Sequence, residues 1–147
     1  MDSINQKIAL QDFDTALLVD RFMRRVHAKV HERAVVFDRD RIGPNGGLTL
    51  LTLADIEPAP IHELVRAMAR DKSQMTRLLK LLGDKGLIAR AASPADARVC
   101  VLTLTAKGQV MVEGLREIVA EAVDEVLAPL DGEEKDTFRA LLTRAVR

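Results

Sequence analysis

Tryptophan and tyrosine are absent from this 147-residue chain, and phenylalanine occurs only four times. Stacking on nucleobases needs exposed aromatic platforms, so it cannot be the main mode of binding. The single cysteine, Cys100, excludes an intrachain disulfide and predicts a reducing, cytoplasmic setting. Long apolar runs are missing too. The longest uncharged stretch, Ile42 to Ala54, is too short and too rich in Gly and Thr to span a bilayer, and no membrane partner is expected. The opening MDSINQKIALQDFD has early acids and no apolar centre, which predicts no secretory leader. Glu133 and Glu134 are paired but lack a His or metal partner, and no Ser-His-Asp or Cys-His set can be assembled. RIGPNGG at 41–47 reads as a loop, without the Lys-Ser/Thr ending of a phosphate-cradling turn. No catalytic residue, metal site or cofactor is therefore expected.

What is present is an ordinary globular composition, 48% hydrophobic and 30% charged, long enough for one domain with a real core. Formal net charge is zero, but its distribution is uneven. Residues 60–99 hold eight cations against four anions, a net of +4, and residues 108–136 hold two against nine, a net of −7. A basic middle and an acidic end could be merely solvated faces. The reading changes if the basic part also carries an element shaped to read DNA.

From Phe13 to Phe37, Val19, Phe22, Val26, Val30 and Phe37 share one helical face. LTLLTLADIEP at 48–58 is ambiguous between strand and short buried helix, since periodicity cannot settle so short a run. Pro60 suits the first position of a helix, IHELVRAMA. Asp71 can cap the next helix, with Gln74 in capping-box position. In it Met75, Leu78, Leu79 and Leu82 make a buried stripe, which puts Ser73, Arg77 and Lys80 on the opposite face with Gln74 and Thr76 at its edges. LIARAA, SPAD and RVCVLTLT then form a hairpin, its second strand alternating Val99, Val101, Thr103 and Thr105 with Cys100, Leu102 and Leu104. A long helix follows from Ala106 to about Leu127, with a coiled-coil-like seam of Val112, Leu115, Val119, Ala122 and Val126. Pro129 breaks it, and Asp131 can cap a last helix with Phe138, Leu141, Leu142 and Ala145 on its apolar side.

Helix, turn, helix and hairpin, in that order, make a winged helix-turn-helix. Its second helix enters the major groove, its first crosses the backbone, and the hairpin tip reaches the neighbouring minor groove. The expected fold class is mainly α (α+β), a winged helix-turn-helix with long N- and C-terminal dimerisation helices. MTRLLKLLGDKGLIAR at 75–90 and DARVCVLTLTAKG at 96–108 also resemble the MarR (multiple-antibiotic-resistance regulator) family of bacterial transcription factors. The second stretch matches the family's Asp-x-Arg…Leu-Thr-x-x-Gly pattern through Asp96, Arg98, Leu104, Thr105 and Gly108. Leu81 and Gly83 depart from the family, where a polar residue and a Glu are usual.

The resemblance implies a two-fold dimer that binds a pseudo-palindromic operator and is released by a small-molecule effector, most simply as a repressor. It implies residues 1–45 and 107–147 as dimerisation regions and 46–106 as the DNA-binding region. It makes Arg98 the minor-groove finger and Asp96 its brace. It places Ser73, Gln74, Thr76 and Arg77 in the major groove, and Lys72, Lys80 and Arg90 mainly on phosphates. The apolar faces of the terminal helices support the dimer independently, because one small winged domain cannot cover them all. Arg24, Arg25, His27 and His62 are the candidates for an effector crevice. His27 and His31 stand at a spacing that can hold zinc, but no Cys lies near and solvated or dimer-packed histidines are favoured. Cys100, in the wing strand, reads as buried packing rather than as a redox sensor. The alternatives are a winged helix used only for protein contacts and a metal- or redox-responsive regulator of the same fold.

Overall fold

The computed structural model describes residues 2–147. Six helices and three short strands follow one another as α1 (Asp2–Phe37), α2 (Gly43–Ile56), β1 (Ala59–Pro60), α3 (Ile61–Met68), α4 (Lys72–Asp84), β2 (Ile88–Ala92), β3 (Cys100–Leu104), α5 (Ala106–Val126) and α6 (Gly132–Ala145). They divide into two compact units. One comprises residues up to Glu32 with Val119–Arg147, and the other is Arg33–Ile118.

In the first unit α1 begins at Asp2 rather than near Phe13. Its opening residues contain no Gly or Pro and several good helix formers, Gln, Lys, Ala and Leu, so nothing stops the helix earlier. Val26 and Ala122 are buried, and the rings of Phe22 and Phe138 meet at 5.4 Å. Lys29 pairs with Glu125 at 3.1 Å. Asp131 caps α6 in a complete capping box, its carboxylate accepting from Glu134 N while Glu134 accepts from Asp131 N. Much apolar surface stays open: Ile4, Ile8, Phe13 and Leu17 of α1 and Leu141 and Leu142 of α6 are all exposed.

The second unit is built on a three-stranded antiparallel sheet of order β1-β3-β2. The hairpin pairs Ile88 with Leu104 and Ala92 with Cys100, and β1 pairs Ala59 with Leu102. β1 is too short to be legible as a strand, and its pairing makes β3 the central strand of the sheet. Val101 and Leu102 are both buried although successive strand residues point to opposite faces, so β3 is covered on both sides at its middle. Cys100 lies beyond that covered stretch and is exposed. Its expected role in packing is thus corrected: the strand end that bears it projects past the core.

The segment 43–56 is a helix, which settles the ambiguous run and corrects the loop expected at 41–47 from Gly43 onward. Pro44 suits the first turn, and Asp38 completes it, its two carboxylate oxygens accepting from Ile42 N and Gly43 N at 2.9 Å each. Leu50 and Leu53 of α2, Leu64 of α3, Met75, Leu79 and Leu82 of α4, and Leu87 and Leu102 of the sheet form the core, all almost without solvent contact. Each such side chain contributes about 1.5–3 kcal/mol by burial.

Candidate nucleic-acid interface

Helices α3 and α4 are joined by a turn in which Ala69 takes the left-handed region, φ 49°, and its N–H bonds back to Arg66 O at 3.2 Å. A side chain rarely sits there, so the turn is held by the packing of both helices. Asp71 then caps α4. Its carboxylate reaches Ser73 rather than making the expected box with Gln74, accepting from Ser73 N at 3.4 Å and from the Ser73 hydroxyl at 2.6 Å. The hydroxyl bond is the chief cause that holds the Asp71 carboxyl below the ordinary aspartate range.

Met75, Leu79 and Leu82 bury one side of α4, and Ser73, Arg77 and Lys80 stand exposed opposite them, with Lys72, Gln74 and Thr76 also exposed. Local bonds sort what these groups can offer. The Ser73 hydroxyl proton is engaged by Asp71, and the Thr76 hydroxyl donates to Lys72 O at 2.9 Å. Towards a partner both can therefore only accept, whereas Lys72, Gln74, Arg77 and Lys80 bring donors, the groups that phosphates and guanine edges require.

The wing tip is closed by Ser93 N donating to Val99 O at 2.8 Å and Val99 N donating to Asp96 O at 3.0 Å. Asp96 Oδ1 accepts from Arg98 N at 3.0 Å and from Arg98 Nε at 3.2 Å, and Oδ2 accepts from Arg98 Nη2 at 3.4 Å. The side-chain bonds from Arg98, then its backbone bond, hold the Asp96 carboxyl below the usual aspartate range. The Arg98 side chain is nevertheless 91% exposed. Arg90, on the neighbouring strand, is exposed and shares with Arg98, Ala92 and Cys100 an open concavity of about 340 Å³.

A second open groove, of about 470 Å³, runs along the flank of α4 between Asn45, Arg70, Gln74 and Arg77, over a floor of Met75, Leu78 and Leu81. Asn45 lies in a stretch whose Gly-Pro-Asn content reads as loop, and Arg70 carries no signal in the sequence beyond its charge. Leu81, which departs from the family pattern, is part of that floor.

Arg24, Arg25 and His27 lie exposed on α1 in the first unit, Arg24 paired with Asp20 at 3.0 Å, and His62 is exposed on α3 in the second unit. His31 is exposed as well. Among the described residues, no group of three or more His, Cys, Asp or Glu side chains could hold a metal ion, and no helix is long and apolar enough to cross a membrane.

Comparison with known proteins adds an independent line. The family model of the MarR family matches residues 44–100, which span α2 to the start of β3. The chain is 31% identical over 97 residues to the HTH-type transcriptional regulator YxaD of Bacillus subtilis, covering 66% of this chain and 68% of YxaD. Four further curated relatives are matched over 58–60% of their own lengths. A probable transcriptional regulator from Pseudomonas aeruginosa has a similar structure, with TM-score 0.66, 27% identity and coverage of 92% of this chain and 98% of that one. The MarR protein of E. coli, in a structure with operator DNA, shares the fold at TM-score 0.71 and 20% identity, over 93% of this chain and 96% of that one.

Proposed function

The chain belongs to the MarR family of winged-helix transcriptional regulators, and from that membership we propose that it reads a specific double-stranded operator as a homodimer. The observation that carries the proposal is the exposed Arg98 guanidinium, held at the wing tip by Asp96, in the same unit as the outward cations of α4. Arg98 enters the minor groove, where one inserted Arg is favoured by the narrow, strongly negative channel. Gln74 and Arg77 read base edges in the major groove with Ser73 and Thr76 as acceptors, and Lys72, Lys80 and Arg90 hold phosphates. Asn45 and Arg70 extend this surface along the flank of α4.

The exposed apolar side chains of α1 and α6 form the dimer contact, so that residues 1–45 and 107–147 serve assembly and 46–106 serve reading. Scattered exposed leucines are ordinary, but this set recurs along two helices, which supports reading it as an association surface. A two-fold dimer then binds half-sites about one helical turn apart, roughly 34–36 Å. Repression is the simplest outcome of operator occupancy, and one relative, in Mycobacterium bovis, is named a transcriptional repressor. Arg24, Arg25 and His27, exposed together on α1 of the first unit, are proposed to meet a small-molecule effector that releases DNA.

Selection of bound duplexes from a random pool tests the reading directly. A DNA reader enriches one pseudo-palindrome, and its affinity falls steeply with salt. Binding that shows no sequence preference would instead favour a winged helix used for protein contacts.

A further inference from the structure

We propose that Lys107 is a positioning residue for DNA reading: it holds the turn that joins the reading helix α4 to the wing, without itself touching DNA. The inference rests on the DNA-reading role proposed above.

The turn at 85–87 presents three successive carbonyls, and the segment that opens α5 holds each of them. Lys107 Nζ donates to Lys85 O at 2.8 Å, the Thr105 hydroxyl donates to Gly86 O at 2.6 Å, and Thr105 N donates to Leu87 O at 3.1 Å. Gly86 has φ 72°, in the region that favours glycine, so the turn is sharp and its carbonyls diverge from the helix path. Lys85 is the C-cap of α4. Its carbonyl belongs to the end of the helix that lacks internal partners and carries partial negative charge, where a cation is favoured.

The same ammonium meets the Asp40 carboxylate at 3.3 Å, from the segment between α1 and α2. An ammonium has three donors and can serve a carbonyl and a carboxylate at once. Lys107 thus ties three pieces of the second unit together: the 38–42 connection, the end of α4 and the start of α5. Its side chain is half exposed, 53%, so its value to overall stability is small. Its value lies in geometry. Arg77 and Arg98 sit on opposite sides of this turn in sequence, and they can reach two grooves together only if the turn fixes the angle between α4 and the wing. Recognition sites lose function when their supporting shell lets them shift by about 1 Å. The Leu-Thr-Ala-Lys-Gly run therefore supports the reading groups instead of joining them.

The test uses the full chain with Lys107→Met, Lys107→Arg, Asp40→Asn and the Lys107→Met/Asp40→Asn double variant. The probe is the duplex that the unsubstituted protein selects from a random pool. Lys107→Met should weaken binding about tenfold with an unchanged salt slope and an unchanged urea midpoint. Hydrogen exchange of the amides at 87–92 should quicken in the same variant without DNA. Lys107→Arg should recover most of the affinity, and the double variant should bind no worse than Lys107→Met, as expected for two groups of one device. A slope smaller by about one would make Lys107 a phosphate contact and overturn the proposal. Unchanged affinity, or a loss that only follows a lower urea midpoint, overturns it as well. If the unsubstituted protein selects no duplex, the DNA-reading role falls, and the exchange rates at 87–92 still decide whether Lys107 holds the turn.

Discussion

Gly108, in the first turn of α5, rests against the carbonyl oxygen of Leu87 so closely that a Cβ at 108 would overlap it. Leu87 O is also the acceptor for Thr105 N, so it cannot move away without breaking the join between wing and helix. The glycine of the Leu-Thr-x-x-Gly pattern is explained by this approach, independently of any role in DNA contact.

Gly108→Ala should therefore destabilise the protein by about 1–3 kcal/mol, the usual cost of forcing an atom into a filled site. Gly83 is the control. It lies in α4 with open space around it, so Gly83→Ala should stabilise by about 0.5–1 kcal/mol. Urea unfolding of both variants checks the pair, and shifts of the same sign would refute the packing argument.

Arg98→Ala should weaken operator binding while leaving the dimer intact, as measured by fluorescence anisotropy with duplex and by sedimentation. Asp96→Asn should produce a smaller loss, because it loosens the guanidinium but leaves it charged. Unchanged affinity in Arg98→Ala would falsify the wing-finger role.

Arg77→Ala should cost roughly 1–3 kcal/mol and relax specificity at one position if Arg77 reads a guanine. Duplexes with each base varied in turn separate this from a phosphate contact, which would give a uniform loss across all sequences.

The Asp96 carboxyl should titrate below the ordinary aspartate value, chiefly through its side-chain bonds with Arg98. Its folded-state value is depressed. The stability it contributes is therefore present at neutral pH and disappears as pH falls through that depressed value. Because the pair is exposed, the effect is local to the wing tip. Carbon NMR across an acid titration checks it: Arg98→Ala should move the midpoint upward, and an unmoved midpoint would show that Arg98 is not the cause.

Local sequence pattern suffices for the order helix–turn–helix–hairpin, the buried stripe of α4 and the outward place of Ser73, Arg77 and Lys80. Those features follow from local periodicity and from turn residues such as Gly86 and Pro129, which act over a few positions. It also brought Asp96 and Arg98 within reach, two residues apart. Tertiary structure decided what depends on neighbours distant in the chain. Pairing of Ala59 with Leu102 made a strand of two residues, and packing from other elements, α2 and α3 among them, buried both Val101 and Leu102 of β3. The end of that cover left Cys100 exposed, although alternation alone could not separate it from Leu102 and Leu104. Residues 43–56 became helical because Asp38 closes their first turn and because Leu50 and Leu53 find a core to enter, neither of which a run of Leu, Thr and Gly reveals. Nothing local marks Lys107, since its partners at 40 and 85 lie far away in the chain. Hydrogen bonds and packing between remote segments carry no period, and only the folded chain brings them together.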